Sequence, residues 1–212
     1  MSAGNLYVQY GCGYCAPDDW LNYDASPSLR IQKIPVIGLI AGNSTSRFPA
    51  NVKYGDIVKG LPLEPGSCKV IYCSHVLEHL SLEDFRIALK NTYSLLATGG
   101  VFRFVMPDLL GLAEGYVEAA KKGDAEAGFR FMKFTGVALE KRPKGMKAII
   151  SSLLGNSRHQ WLWDAASTRL ELEKAGFKQI RNCHFGDSPD PHFTSVESED
   201  RFRNAVAIEC IK

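Results

Sequence analysis

The sequence contains no long apolar run and no excess of charge of one sign. A membrane-spanning helix needs about 18 consecutive apolar residues, and no stretch of the 212 residues meets that need. The formal net charge is only +2, so no overall field favours nucleic acid or a membrane surface as a partner. The first residues, Met1–Asn5, lack the basic and apolar regions of a signal peptide. We therefore expect a cytoplasmic protein that binds no nucleic acid and does not insert into a membrane.

Cysteine pairs of the kind that bind metals or exchange electrons are also scarce. Cys12 and Cys15 form one C-x-x-C pair, whereas a zinc site of this kind needs a second pair. A thioredoxin-like role needs a helix that begins at the first cysteine, and the Ala16–Trp20 segment that follows is short and contains a proline. We interpret the thiols as unreactive, with a redox role for the pair as the alternative. The six cysteines are Cys12, Cys15, Cys68, Cys73, Cys183 and Cys210.

The sequence does contain the alternating pattern of an α/β protein. The composition, 45% hydrophobic and 23% charged, is close to that of an average globular protein and suits a single domain over residues 1–212. Short β-branched and aromatic runs alternate with helical patterns, which is typical of an α/β sheet. The predicted strands are Leu6–Tyr10, Trp20–Tyr23, Lys53–Ile57, Lys69–Ser74, Val101–Met106, Lys178–Phe185 and Asn204–Ile211. The polar Ser188–Arg203 segment between the last two strands is predicted to be a surface loop.

Two helices are predicted from their caps and their apolar spacing. Ser81 and Asp84 form a capping-box pattern before the first helix, and Gly99-Gly100 is a stop signal. The second helix is predicted over Asp164–Ala175, before Gly176. The residues expected to face the core are Phe85, Leu89, Tyr93 and Leu96 in the first helix and Leu170 and Leu172 in the second.

The stretch from Leu110 to Arg158 interrupts this alternation with two or three helical patterns and no strand. It is too long for an ordinary connection, so we expect a helical insertion that acts as a lid. A mobile lid that attracts an anionic substrate, a contact with an anionic membrane surface, and a helix packed on the core are the three interpretations. The insertion has a clear basic bias between residues 128 and 158, in Arg130, Lys133, Lys141, Arg142, Lys144, Lys147 and Arg158, against the single acid Glu140. Its apolar helical face consists of Met146, Ile149, Ile150, Leu153 and Leu154.

A glycine turn follows the first predicted strand. Gly11-Cys12-Gly13 would let a ligand approach the backbone closely, and Asp24 at the end of the second strand can accept hydrogen bonds from a ribose diol. A dinucleotide fingerprint has a third glycine and an acid about 20 residues further on. Here the acid follows Gly13 by 11 residues, which leaves no room for the helix that would hold a pyrophosphate. This spacing disfavours a nicotinamide cofactor and is compatible with S-adenosylmethionine (SAM), which carries no phosphate.

The motifs that follow one another along the chain make a family resemblance specific. They read Y-V-Q-Y-G-C-G, W-L-N-Y-D-A-S-P, G-D-I-V-K-G-L-P, V-I-Y-C-S-H-V-L-E-H-L, L-L-A-T-G-G-V-F-R-F-V-M-P-D-L and H-Q-W-L-W-D. The chain resembles the class I SAM-dependent methyltransferases, in particular the bacterial methyltransferase type 11 group, outside the middle of the insertion. The resemblance implies a Rossmann-like doubly wound sheet, mostly parallel with a final antiparallel strand, plus the helical insertion at about 110–158.

The resemblance also implies a cofactor site for SAM, whose product is S-adenosylhomocysteine. Gln9 departs from the pattern, because an acid commonly stands there to meet the amino group of SAM. Alternatives remain for four residues: Asp56 as a turn cap, His75 as a structural histidine, and Glu78 with His79 as loop-orienting residues. The implied contacts are Gly11, Cys12 and Gly13 under the methionine part, Asp24 on the ribose, Ala25, Asp56 and Ile57 at the adenine, and Ser74 and His75 near the sulfonium.

His75, Glu78 and His79 also match H-x-x-E-H, the inverted zincin motif. That zinc site needs the motif inside a helix so that both histidines share one face. Here a buried strand runs directly into His75 and the helix cap comes later, at Ser81. We therefore expect the motif in a loop or a single turn and no bound metal.

The expected reaction is methyl transfer from SAM to a small-molecule or glycan acceptor, with the basic insertion suggesting an anionic one. His159, Asp108 and His75 are the candidates for a general base, although methyl transfer depends largely on proximity and orientation. Trp161 and Trp163 are either core residues or stacking surfaces at the mouth of the site. The alternatives are a non-catalytic SAM-binding protein and a nicotinamide-dependent oxidoreductase.

Overall fold

A seven-stranded sheet forms the centre of the molecule. The computed structural model describes residues 4–32, 47–139 and 158–212. The strand order is β3-β2-β1-β4-β5-β7-β6, and β7 runs antiparallel to both of its neighbours while the other pairs are parallel. The doubly wound arrangement expected from the sequence is confirmed. The strands are β1 Leu6–Tyr10, β2 Leu21–Asp24, β3 Val52–Tyr54, β4 Cys68–Ser74, β5 Leu96–Pro107, β6 Lys178–Asn182 and β7 Ala205–Ile211.

Helices and short turns connect these strands. Within the described ranges the helices are α1 Pro27–Gln32, α2 Leu82–Leu95, α3 Leu109–Lys121, α4 Ala127–Phe134 and α5 Ala165–Ala175. Three single-turn 3-10 helices span Leu77–His79, Pro191–Ser195 and Glu199–Phe202. No helix in the described ranges is long and apolar enough to cross a membrane.

The predicted caps are present, but one predicted stop is wrong. Ser81 Oγ accepts a hydrogen bond from the Asp84 amide at 3.1 Å, and α5 ends at Gly176 with a left-handed φ of 102°. Helix α2 instead ends at Leu95 because Leu96 adopts extended backbone angles and pairs with β4 as the first residue of β5. Gly99-Gly100 therefore lies inside a 12-residue strand rather than at the end of a helix.

The main core lies on the sheet face that α2 and α5 cover. Phe85 and Leu89 of α2 and Leu172 of α5 are almost fully buried against the strands. Leu170, expected to pack as well, is 52% exposed, because it lies on the outer side of α5. On the strands, the core residues of this face include Val8, Ile71, Phe102, Phe104 and Ile208.

The opposite sheet face is covered by a segment near the C-terminus. The Gly11–Trp20 connection contains no crossover helix, as the sequence predicted, so no helix from this connection covers the face. Phe193 does so instead, with its ring 5.9 Å from that of Trp20 and 6.0 Å from that of Tyr72. Part of the predicted surface loop at 188–203 is therefore a structural cover, since Phe193 is only 3% exposed.

A buried arginine fixes this cover to the sheet. Arg103 of β5 is fully buried, and its guanidinium contacts the carboxylates of Glu197 at 2.5 Å, Asp187 at 2.9 Å and Glu209 at 3.1 Å. It also lies over the rings of Phe193 and Phe202.

The described part of the insertion consists of α3 and α4. Both were expected as helices, and their pairing forms one wall of the cavity described below. Residues 140–157 lie outside the described ranges, and with them the predicted apolar face and most of the basic residues, namely Lys141, Arg142, Lys144 and Lys147.

Candidate active site

The glycine turn after β1 presses against the loop after β4. Gly11 and Gly13 both have positive φ, 65° and 54°. A Cβ added to Gly11 would lie 2.2 Å from Cγ2 of Val76, whereas one added to Gly13 would meet no atom within 4 Å. Gly11 is thus required by close packing inside the protein, and Gly13 leaves open space where a ligand can approach the backbone.

Asp24 at the end of β2 is held by that same turn. Its Oδ2 accepts from the Gly13 amide at 2.9 Å and its Oδ1 from the Ser26 amide at 2.8 Å. Each carboxylate oxygen can accept a further hydrogen bond, so an oriented acceptor pair remains next to Ala25. The carboxylate is only 5% exposed, which places it at the bottom of the turn.

The two cysteines of the C-x-x-C pair are unsuited to redox exchange. Cys12 is buried among Leu29, Phe48 and Val52, and burial together with nearby Asp24 raises the pKa of its thiol to about 12. Cys15 is exposed, but partial desolvation of its thiol raises the pKa there too. A reactive pair needs a lowered thiol pKa, so Cys12 contributes its backbone to the turn rather than a nucleophile.

The Gln9 side chain holds the β1–β2 connection together, a role that the sequence did not predict. Its side-chain amide donates to the Cys15 carbonyl at 2.8 Å and to Asn22 Oδ1 at 2.6 Å, and it is 3% exposed. Asn22 in turn donates to the carbonyls of Pro17 and Trp20. These bonds hold the short β1–β2 connection, so both donor hydrogens of Gln9 are used inside the protein.

Asp56 and Ile57 follow β3 in a tight turn. Asp56 Oδ1 accepts from the Val58 amide at 3.0 Å, and Oδ2 pairs with Lys59 Nζ at 3.0 Å. The turn-cap role, one of the two alternatives for Asp56, is therefore present. The Ile57 side chain is buried in the main core, which leaves its backbone for any ligand contact.

The buried hydroxyls of Ser74, the last residue of β4, and of Tyr72 on the same strand make no hydrogen bond of good geometry with other described residues, but they lie close enough to interact with each other. Ser74 itself lies at the carboxyl end of a central parallel strand, the edge at which sheets of this type bind their ligands.

His75 has a left-handed φ of 54°, and both nitrogens of its ring are engaged. Nε2 lies 3.0 Å from the Arg201 carbonyl oxygen and Nδ1 lies 3.3 Å from Glu78 Oε1. Burial lowers the pKa of His75, but the Glu78 carboxylate and the Arg201 carbonyl outweigh it, so the pKa is raised above its ordinary value.

The return segment, residues 158–161, by which the chain comes back from the insertion, brings His159 to the loop after β4. The amides of Gln160 and Trp161 both donate to the Glu78 carbonyl, at 2.7 and 3.2 Å, and His159 Nε2 lies 3.9 Å from Glu78 Oε1. Trp163 is a core residue stacked on Phe85 at 4.0 Å. The proximity of His159 to Glu78 was not predicted, because nothing in the local pattern links residues so far apart in the chain.

Asp108, the third base candidate, caps α3. Its Oδ1 accepts from the Leu110 amide at 3.0 Å. The residue also lines a cavity of about 400 Å3 beside Phe202 and Arg203.

A second cavity, of about 510 Å3, opens between α3, α4 and the end of β4. His75 contributes to its lining directly after Ser74, and Arg203 with Asn204 adds polar groups. Arg130 also lines it but is paired with Asp124. The remaining lining is mainly apolar and includes Leu112, Tyr116, Ala119, Ala127, Phe131 and Phe134.

A comparison with known families matches residues 15–182 to the methyltransferase domain family. The chain belongs to this family. The class I SAM-dependent methyltransferase expected from the sequence is thereby confirmed, with SAM as its cofactor. The methyltransferase is an enzyme, so the nicotinamide-dependent oxidoreductase and the silent SAM-binding protein are set aside. No curated protein sequence matches the chain.

Solved structures that resemble the methyltransferase are distant in sequence. A SAM-dependent methyltransferase from Archaeoglobus fulgidus is 15% identical with a TM-score of 0.49, over 99% of this chain and 86% of that one. A possible histamine N-methyltransferase from Thermotoga maritima is 17% identical with a TM-score of 0.48, over 100% and 84%. A methyltransferase from Mesorhizobium loti is 14% identical with a TM-score of 0.48, over 99% and 92%. The family match, not these structures, establishes the membership.

Proposed function

We propose that the methyltransferase transfers a methyl group from SAM to a small-molecule acceptor held in the cavity between α3 and α4. One observation carries the proposal: the 510 Å3 cavity reaches His75, the first residue after β4, at the carboxyl edge of the parallel strands. The cavity therefore opens beside the strand end where the donor is expected. When bound, SAM supplies an already activated methyl group on its sulfonium.

The residues on the donor side fit the expected cofactor. Gly13 leaves open space above the turn, Asp24 presents two oriented oxygens for the ribose hydroxyls, and Ser74 lies at the neighbouring end of β4. Gly11 and Cys12 would shape the backbone under the methionine part. Ala25, the Asp56 carboxylate and the Ile57 backbone would border the adenine.

The acceptor side indicates an apolar molecule that carries an anionic or hydrogen-bond-accepting group. Apolar and aromatic side chains dominate the lining, and pockets of this composition bind through burial while a few polar groups set orientation. Arg203 and Asn204 supply those groups. Phe131, whose ring lies 5.2 Å from that of Tyr116, would contact the apolar body. This composition favours an apolar small molecule over the glycan that was also considered.

The three candidate bases are each engaged elsewhere and are poorly placed to take a proton from an acceptor in this cavity. His75 has both nitrogens engaged, Asp108 caps α3 beside the neighbouring cavity, and His159 faces Glu78. We infer that catalysis rests on proximity and orientation, which suits an acceptor that is nucleophilic without deprotonation by the protein.

The proposed SAM site is tested by calorimetry with S-adenosylhomocysteine. We expect micromolar binding by the wild-type protein and at least tenfold weaker binding by Asp24→Asn, because the amide loses acceptor capacity and charge. Asp19→Asn is the matched control, since Asp19 is exposed in the adjacent loop, and it should bind like wild type. A folded wild-type protein that does not bind S-adenosylhomocysteine would overturn the donor assignment.

The proposed acceptor cavity is tested with labelled SAM and a panel of apolar acids, amines, phenols and glycans. Phe131→Ala should weaken transfer to the best acceptor while leaving S-adenosylhomocysteine binding unchanged. Phe129→Ala on the same helix is the control, because Phe129 is 80% exposed. Labelling of glycans alone, or equal effects of the two substitutions, would reject the proposed acceptor.

A further inference from the structure

We propose that Glu78, His79 and His159 bind a divalent transition-metal ion such as Zn²⁺. The proposal is independent of the acceptor assignment above. It concerns a cluster at the 3-10 turn Leu77–His79 and the return segment at 158–161.

The Glu78 carboxylate is only partly compensated. Its side chain is 1% exposed, and its nearest partner is His75 Nδ1, 3.3 Å from Oε1; no described residue gives either oxygen a hydrogen bond of good geometry. Burial of an ionised carboxylate is costly unless a positive charge compensates it at close range. His75 supplies part of this compensation at 3.3 Å, and a cation held between Oε1 and the two other histidines would complete it.

The geometry of the cluster suits one ion. One oxygen of Glu78 and one ring nitrogen each of His79 and His159 lie within 4.8 Å of one another. Glu78 Oε1 is 3.9 Å from Nε2 of both histidines. Two ligands of a tetrahedral zinc ion, each bound at about 2.1 Å, are about 3.4 Å apart, so small side-chain movements bring all three into contact with the ion.

The backbone fixes both histidines in the form that a metal needs. His79 Nδ1 lies 2.9 Å from the Arg158 carbonyl oxygen, and His159 Nδ1 lies 2.8 Å from the Thr135 carbonyl oxygen. A carbonyl only accepts, so in each ring Nδ1 carries the proton and Nε2 keeps a lone pair. Metal-binding histidines commonly donate their second nitrogen to a carbonyl in this way. Without an ion, two lone pairs would face the same carboxylate.

Protonation of His79 and His159 would explain their position beside Glu78 less well than a bound ion does. A charge-assisted hydrogen bond between nitrogen and a carboxylate is about 2.7–2.9 Å long, and the two Nε2 atoms are 3.9 Å from Glu78 Oε1. His75 Nδ1 is nearer, at 3.3 Å, and acts as a positioning residue for the carboxylate. The second ligating histidine thus comes from the return segment rather than from the H-x-x-E-H motif, which is why the helix that an inverted zincin requires is not needed here.

The ion would join three separate segments. His79 belongs to the loop after β4, Thr135 follows α4, and His159 begins the return segment, where its amide also donates to the Gly136 carbonyl at 3.3 Å. Binding should therefore stabilise the fold, because a ligand that binds only the native state raises the midpoint of unfolding.

The test uses full-length protein without a histidine tag, treated with chelator and then titrated with Co²⁺ and Zn²⁺. We expect one ion per chain, visible Co²⁺ absorption bands of a low-coordinate site, and a Tm that rises by about 5 °C with excess Zn²⁺. His159→Gln and Glu78→Gln should weaken binding at least tenfold. His192→Gln, a histidine outside the cluster that stacks on Tyr7, should bind like wild type.

Two outcomes would refute the proposed metal site. Wild-type protein that binds neither ion at micromolar concentration refutes it, and so does binding that His159→Gln leaves unchanged. Should a variant fail to fold, the wild-type stoichiometry and Tm shift still decide. S-adenosylhomocysteine binding, measured on the same samples, separates failure of the metal site from failure of the donor site.

Discussion

A Cβ placed on Gly11 would lie 2.2 Å from Cγ2 of Val76. The turn after β1 and the loop after β4 thus touch at the point where the two central parallel strands end. Since Gly13, two residues later, faces open space, the same turn serves packing with one glycine and ligand access with the other.

Substitution of these glycines should separate the two tasks. Gly11→Ala should lower the free energy of unfolding by about 2–4 kcal/mol, from the clash together with the strained positive φ. Gly13→Ala should cost only about 1 kcal/mol, yet weaken S-adenosylhomocysteine binding because its methyl group enters the open space. Urea unfolding and calorimetry measure both effects. Equal stability of the two variants would contradict the contact with Val76.

The buried Arg103 should be a major determinant of stability. Arg103→Met leaves the Glu197 carboxylate buried without its partner, and removing one member of a buried ion pair typically costs about 3–5 kcal/mol. Arg181→Met is the matched control, because Arg181 also pairs with Asp187 and Glu209 but is 40% exposed. It should cost less than about 1 kcal/mol. Urea denaturation that gives similar losses for both would show that burial is not decisive.

A pH-dependent contribution should come from Glu171, which joins α5 to α2. Hydrogen bonds from Arg86 and then Lys174 lower the pKa of Glu171 to about 2. A lowered carboxyl pKa contributes stability that is present above the ordinary value near 4.5 and is lost as the pH falls towards 2.

We expect Glu171→Gln to cost about 1 kcal/mol at pH 7, a modest value because Arg86 is half exposed. The difference from wild type at pH 3 should be less than about half of that at pH 7. Unfolding at both pH values and at two salt concentrations measures it. A difference that grows on acidification would have the wrong sign for this ion pair.

The thiols should show one accessible group. Cys15 is exposed and the other five cysteines are buried, so a thiol reagent should modify one group per native chain and all six after denaturation. The reaction should be slow at neutral pH, because partial desolvation raises the pKa of Cys15. Cys15→Ser should abolish the native reaction. Rapid oxidation of Cys12 with Cys15 would instead restore the redox interpretation.

Local patterns in the sequence predicted most of the fold. Strand β1 is bounded by residues that the sequence marks directly, and α5 has both its Asp164 cap and its Gly176 end. The Gly99-Gly100 stop failed because strand pairing of Leu96 with Cys68 overrides a local glycine signal. Tertiary pairing of this kind is invisible in a short window of sequence.

In the candidate site, too, the sequence predicted the residues at strand ends but not the contacts that depend on tertiary structure. Gly13, Asp24 and Ser74 are placed at neighbouring strand ends, as the motifs implied, because parallel strands direct their carboxyl ends to one edge. Gln9 stood out in the sequence only as a departure from the family pattern, because its bonds to Asn22 and Cys15 depend on the fold of the short connection. The approach of His159 to Glu78 depends on where a long insertion returns, which no local pattern encodes.

The aromatic cover formed by Phe193 has a consequence for synthesis on the ribosome. Trp20 and Tyr72 leave the exit tunnel long before the Pro191–Ser195 turn that shields them. Until that turn emerges, one face of the nascent sheet exposes large aromatic groups, and such surface invites aggregation or chaperone binding. A chain truncated before residue 191 should therefore remain a chaperone client, even though all of its parallel strands are already made.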